Sequence, residues 1–146
     1  MTKEEKYSSI LPQAAALLEG EDDNIANMAN LSALLHQAFG FWWTGFYRVV
    51  GKELVLGPFQ GPLACVHIPF GRGVCGTAWK NGETVVVPDV EKFPGHIACS
   101  SESRSEIVVP VFHNNEITAV IDIDSRDYNT FDETDAAALE RIASLL

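Results

Sequence analysis

Three cysteines, Cys65, Cys75 and Cys99, are separated by nine and twenty-three residues in a chain of 146. None belongs to a CxxC pair, and although His67 and His96 lie near two of them, compact zinc-ligand spacings are absent. A lone cysteine is ordinarily a small buried hydrophobe. The local sequences argue for something else. Cys65 follows Gly61-Pro62, Cys75 lies in the glycine-rich GRGVCGTAW, and Cys99 lies in the polar PGHIACSSESRSE. Thiols in polar loops are open to nucleophilic and exchange chemistry. An attacking thiol with a second one to resolve it would complete a redox cycle through a disulfide.

A second group of reactive types lies in EIVVPVF and ITAVIDID. On a strand Asp122 and Asp124 point to one face while Ile121 and Ile123 point to the other. The plain alternative is a strand that emerges into solvent at Asp122. Pairing the two strands around Asn114-Asn115 tests this. A regular two- or four-residue turn sets Ile107 opposite Asp122 and mixes acid with hydrocarbon on both faces. Shifting the parity by one residue sets Ile107 opposite Ile123, Val109 opposite Ile121 and Glu106 opposite Asp124. Ile107, Val109, Val111, Ile117, Ala119, Ile121 and Ile123 then form one apolar face, and Glu106, Asp122 and Asp124 collect on the other. The sorted register is the expectation; it requires an odd loop or a bulge, with Pro110 a possible aid. Three carboxylates on one patch repel unless they share protons or meet a cation. They can hold an ammonium group, donate a proton from a raised-pKa acid, or bind a metal.

In FWWTGFYRVV, Trp43 and Tyr47 share a face with Gly45 between them, and alternation puts Trp42 and Phe46 on the other. Ordinary core or dimer packing would explain such aromatics. The chemical reading is that Gly45 leaves a floor where a methyl or thioether group can pack.

The elements that must position these residues follow from periodicity. Residues 3–19 have helical spacing, with Pro12 either kinking the helix or marking its start. A second helix follows Asp22-Asp23, with Ile25, Met28, Ala29, Leu31, Leu34, Leu35 and Ala38 on its buried side. Residues 41–50 and 53–60 read as a hairpin about Gly51-Lys52, VCGTAWK as a short helix, and 84–87 as a strand. A loop from Pro88 to Ser103 precedes the acidic hairpin. Thr130 and Glu133 read as a capping box for the last helix. Antiparallel hairpins between terminal helices define an α+β domain with those helices on one sheet face.

Size and charge bound the rest. A chain of 16.0 kDa makes one domain, residues 1–146, of roughly 7,400 Å² folded surface, with a core that needs no staple. Net charge is −10, which disfavours nucleic acid and anionic membrane as partners. No stretch reaches a membrane-spanning length and the first residues lack a signal segment, so a cytoplasmic chain with reduced thiols and no cofactor or metal is expected.

Over essentially its whole length the chain resembles the free methionine-(R)-sulfoxide reductases, which are single GAF domains. The likeness is carried by WTGFY, by GPxxC at Gly61 to Cys65, by GxGVCGxAW at Gly71 to Trp79, and by Pro94-Gly95-His96-Ile97-Ala98-Cys99. Ser105 to Pro110 and the closing Asp122-Ile123-Asp124-Ser125 complete it. The resemblance implies a six-stranded antiparallel sheet, reduction of free L-methionine (R)-S-oxide, a thioredoxin-like reductant and a homodimer. It implies Cys99 as nucleophile and Cys65 as resolving thiol, with Cys75 a third pocket cysteine that serves as nucleophile in some members. It implies Trp43 and Tyr47 around the methylthio end, and Glu106, Asp122 and Asp124 on the sulfoxide and ammonium. Backbone N–H groups near Gly71 and Gly73 can meet the substrate carboxylate, with Arg72 and Arg104 as looser candidates. The alternative is a non-catalytic GAF module that binds a small ligand.

Overall fold

A computed structural model describes residues 1–97, 99 and 101–146; Ala98, part of the resemblance motif, lies outside the described residues. Helices α1 (Lys3–Leu18) and α2 (Asn24–Phe39) precede strands β1 (Trp43–Val50), β2 (Glu53–Gln60) and β3 (His67–Pro69). Helix α3 (Gly73–Asn81), β4 (Val85–Val87), a 3-10 turn (Val90–Lys92), β5 (Ser105–His113), β6 (Glu116–Ser125) and α4 (Glu133–Ala143) follow. The six strands form one antiparallel sheet in the order β3-β2-β1-β6-β5-β4. The surface area of the protein, 7592 Å², is close to the size expectation. No helix among the described residues is long and apolar enough to cross a membrane.

The sorted register is observed. Ile107 pairs with Ile123, Val109 with Ile121 and Glu106 with Asp124. Asn114 (φ 52°) and Asn115 (φ 66°) form a two-residue left-handed turn, the geometry that matches the natural strand twist. Such a turn alone gives the wrong parity. A bulge corrects it: Phe112 pairs with Ile117 but Val111 with Ala119, so Thr118 is the extra residue. Pro110 stays in regular register with Val120. Ile117 lies on the turn side of the bulge and drops out of the apolar face, half-buried instead of joining the core.

That apolar face packs on α1, α2 and α4. Phe46, Ile107, Val109, Val111, Ala119, Ile121 and Ile123 meet Leu31, Leu35, Leu139 and Ile142, all essentially solvent-free. Pro12 lies inside α1, whose start is instead capped by Thr2 with Glu5 in a reciprocal box. Asp23 caps α2 through Ala26 N–H, but Ile25 and Ala29 are exposed; Asn27 and Ser32 take buried positions beside Met28, Leu31 and Leu35. The cap of α4 is two residues later than expected, Asp132 with Asp135. Thr130 instead donates to Ser125 Oγ at 2.6 Å.

Candidate functional site

On the sheet's other face, β1, β6 and β5 bring the chemical residues together by register alone. Trp43 sits opposite Asp124, Gly45 opposite Asp122, and Asp122 opposite Val108. Trp43, Tyr47, Glu106, Asp122 and Asp124 therefore share one face. Helix α3 lies over it and contributes Gly73, Val74 and Cys75. The β2–β3 loop contributes Pro62, Leu63 and Ala64, and the loop after the 3-10 turn contributes His96, Ile97 and Cys99. These groups enclose a cavity of ≈ 50 Å³.

Cys65 and Cys99 are joined in a disulfide, with their Cα atoms 5.6 Å apart. It links the β2–β3 loop to the long loop; Cys99 is exposed and Cys65 half-buried. Tyr47 anchors the first of these loops by donating its hydroxyl to the Cys65 carbonyl at 2.8 Å, and Trp43 Nε1 donates to the Pro62 carbonyl at 3.1 Å. Cys75 is different. It is buried on α3, not held in an open loop, because α3 must turn an apolar stripe with Val74 and Ala78 toward the sheet.

The acid cluster is compact. Glu106 and Asp122 are buried, and Asp124 is half-buried beside them, accepting from Ser103 Oγ at 3.2 Å. Burial, then the neighbouring Asp122 and Asp124 charges, hold the Glu106 carboxyl well above the usual carboxylate range. Asp124 is raised by burial and by Asp122, while bonds from Ser103 and Glu106 pull the other way. Asp122 is raised by burial, partly offset by bonds from Glu106 and Cys75. Burial followed by the three carboxylates pushes the Cys75 thiol far up, so it is a neutral donor to Asp122. One ligand atom each from Cys75, Glu106 and Asp122 lie within 4.8 Å of one another, close enough to share protons or to surround a cation. Asp122 Oδ1 is buried without a hydrogen-bond partner among the described residues.

Several expectations need correction. Gly45 offers no open floor: a Cβ there would run into Phe59 Cβ and the Trp43 ring. Phe59 stacks on Trp43 at 5.1 Å between centroids, and Trp43 on Tyr47 at 5.9 Å. Glycine is required because the aromatics close over it, and the cavity is lined by their remaining surface. Trp42 precedes the strand, escapes its alternation and lines the cavity, with Arg126 over its ring. Gly71 N–H is spent on the Gly76 carbonyl, whereas Gly73 and Arg72 line the cavity and Arg104 does not. His67 pairs with Glu53 outside the cavity. Ser103 had no distinguishing sequence signal; Ile97 had its place in the resemblance motif, and His96 had that and its closeness to Cys99.

An antiparallel α+β sheet with a buried thiol and carboxylic acids in one cavity and a cysteine pair at its edge defines the class of a GAF domain equipped for thiol redox chemistry, and the GAF-domain family profile matches residues 28–146. The chain is 54% identical to free methionine-R-sulfoxide reductase from Neisseria meningitidis, whose X-ray structure in complex with its substrate superposes with a TM-score of 0.97 over 99% of this chain and 88% of that one. It is 45% identical over 155 residues to the free methionine-R-sulfoxide reductase of Saccharomyces cerevisiae (100% of this chain, 86% of the relative). Identity to the Escherichia coli enzyme of that name is 44% over 147 residues (100% and 89%). The chain belongs to the free methionine-R-sulfoxide reductase family of GAF domains.

Proposed function

We propose that the whole chain, residues 1–146, is a single GAF unit that reduces free L-methionine (R)-S-oxide to L-methionine. The observation that carries this is a Cys65–Cys99 disulfide at the mouth of a cavity holding three carboxyl groups of raised pKa. A non-catalytic ligand sensor has no use for that combination.

A sulfoxide oxygen leaves only once it is protonated. Glu106 or Asp124, kept protonated by burial and like charge, is suited to supply the proton. Cys99 attacks the substrate sulfur, the oxygen passes to Cys99 as a sulfenic acid, and methionine departs. The Cys65 thiol then attacks Cys99 Sγ, forming the disulfide and releasing water. A thioredoxin-like dithiol takes over the disulfide and is itself oxidised, so each cycle consumes two electrons and two protons and yields one water. The ionised member of the cluster, Asp122, whose charge raises Glu106 and Asp124, disfavours a thiolate at Cys99, and the substrate ammonium offsets it when it binds.

Trp43 and Tyr47 enclose the methylthio end. Asp122, with one oxygen unpartnered among the described residues, and its neighbours take the ammonium. The N-terminal end of α3 at Gly73, with Arg72, is disposed toward the carboxylate. A peptide-linked residue lacks both charged ends, so the free amino acid is preferred. Cys75, neutral and buried, holds Asp122 and is not the attacking sulfur. We further assign a cytoplasmic location, where thioredoxin keeps such cysteines cycling, and a homodimeric state.

The test is methionine release from separated R and S sulfoxides by wild type, Cys99→Ser, Cys65→Ser and Cys75→Ser. Cys99→Ser should lose at least about 10³-fold of turnover. Cys65→Ser should release about one methionine per chain and then stall with thioredoxin. Full turnover by Cys99→Ser would transfer the nucleophile role to another thiol.

A further inference from the structure

We infer that the recycling dithiol attacks Cys99 Sγ and expels Cys65, not the reverse. This rests on the reductase reading above and specifies a step within it.

Two independent features of the disulfide decide between its sulfurs. The first is access. Cys99 is exposed on the long loop, whereas Cys65 is half-buried, its carbonyl tied to the pocket wall by Tyr47. Exchange requires the incoming sulfur to approach one disulfide sulfur along the line of the bond being broken, and the exposed residue admits a protein nucleophile more readily. The second is the leaving group. Cys99 lines the cavity that contains Glu106, Asp122 and Asp124, and Cys65 is not among the lining residues. A thiolate expelled beside the Asp122 carboxylate, whose charge raises both Glu106 and Asp124, is penalised; one expelled at Cys65 is penalised less, and the better leaving thiolate departs faster.

The step balances as follows. The partner's first thiolate forms a bond to Cys99 Sγ while the Cys65–Cys99 bond breaks and Cys65 leaves with the electron pair, taking a proton from solvent. The partner's second thiol then attacks its own first sulfur, forming the partner's disulfide and freeing Cys99, which is reprotonated. Cys99 is thus the last sulfur released. While the mixed disulfide persists the partner sits on the nucleophile, so substrate cannot react before reduction is complete.

The experiment uses the oxidised wild-type chain and a thioredoxin whose second active-site cysteine is replaced by serine, which halts at the mixed disulfide. After acid quenching, alkylation and trypsin digestion, the cysteines fall in separate peptides, residues 53–72, 73–80 and 93–104. Mass spectrometry should find the thioredoxin peptide on 93–104 in at least about tenfold excess over 53–72, as expected for a clear difference in access and leaving group. Equal adducts, or a majority on 53–72, overturn the inference while turnover with unmodified thioredoxin leaves the reductase reading standing. If unmodified thioredoxin neither reduces the disulfide nor supports turnover, the reductant assignment fails and the inference falls with it.

Discussion

The two faces of the sheet each bury an aspartate, and they treat it in opposite ways. On the face under the terminal helices, Asp135 is fully buried but completely served. It accepts from Tyr7 Oη at 2.6 Å, Lys3 Nζ at 2.7 Å and Asp132 N–H at 2.9 Å. On the other face Asp122 lies among two further acids and a neutral thiol, and keeps one oxygen without a partner among the described residues. A buried carboxylate that satisfies all its bonds pins elements together; here α1 is held to α4. One left with open capacity and acidic neighbours destabilises the fold and is free to bind a cation. The helix-covered face holds the molecule together, and the α3 face is poised for a ligand.

The contrast is most severely tested where packing alone acts. Phe46 sits at the centre of the helix-covered face with no exposed surface. Phe46→Ala should cost about 3–5 kcal/mol in chemical denaturation. A loss below about 1 kcal/mol would mean that the face is loosely packed and that the division between the faces is misdrawn. The next effect is smaller and concerns the served carboxylate. Asp135→Asn leaves the Tyr7 hydroxyl and Lys3 ammonium poorly matched and should destabilise by about 1–3 kcal/mol. Limited proteolysis should show the N-terminal helix released first, since two of its side chains, Lys3 and Tyr7, bond to this residue.

The contrast between faces was largely legible in the residue order. Strand periodicity and the refusal of acid to sit opposite hydrocarbon select the sorted register from the sequence alone, because a one-residue slip would invert both faces. What alternation cannot specify is where the compensating irregularity falls. The bulge at Thr118 answers to local twist between two strands, and no residue type marks it. The cap of α4 departs from the expected Thr130 for a related reason. Thr130-x-x-Glu133 and Asp132-x-x-Asp135 both have capping spacing, and the buried bond network of Asp135 with Tyr7 and Lys3, 128 and 132 residues away, favours the second. Distance in sequence also hid the fate of Gly45, whose space is filled by Phe59 from the next strand. The membership of the acid cluster followed from register, and the membership of the cysteine pair from family resemblance. Their mutual contact is a tertiary fact.

The mildest prediction sharpens the comparison most, because its sign is unusual. The Glu106 carboxyl is held above its ordinary pKa, first by burial and then by Asp122 and Asp124. In the unfolded chain it ionises near pH 4.3. Below about pH 4 folded and unfolded forms carry the same proton and the residue exerts no charge penalty. As pH rises past that point the unfolded chain releases the proton while the folded one retains it, so folding loses stability progressively until the raised pKa is passed. Glu106→Gln removes the titration and keeps the shape. The variant should therefore be more stable than wild type at pH 8, by about 0.5–2 kcal/mol, while losing reductase activity. At pH 4 the advantage should shrink toward zero. Thermal unfolding at both pH values, with the disulfide intact, measures it directly. If Glu106→Gln were less stable than wild type at pH 8, the acid would be as well served as Asp135, and the functional face would not carry the strain that distinguishes it from the other.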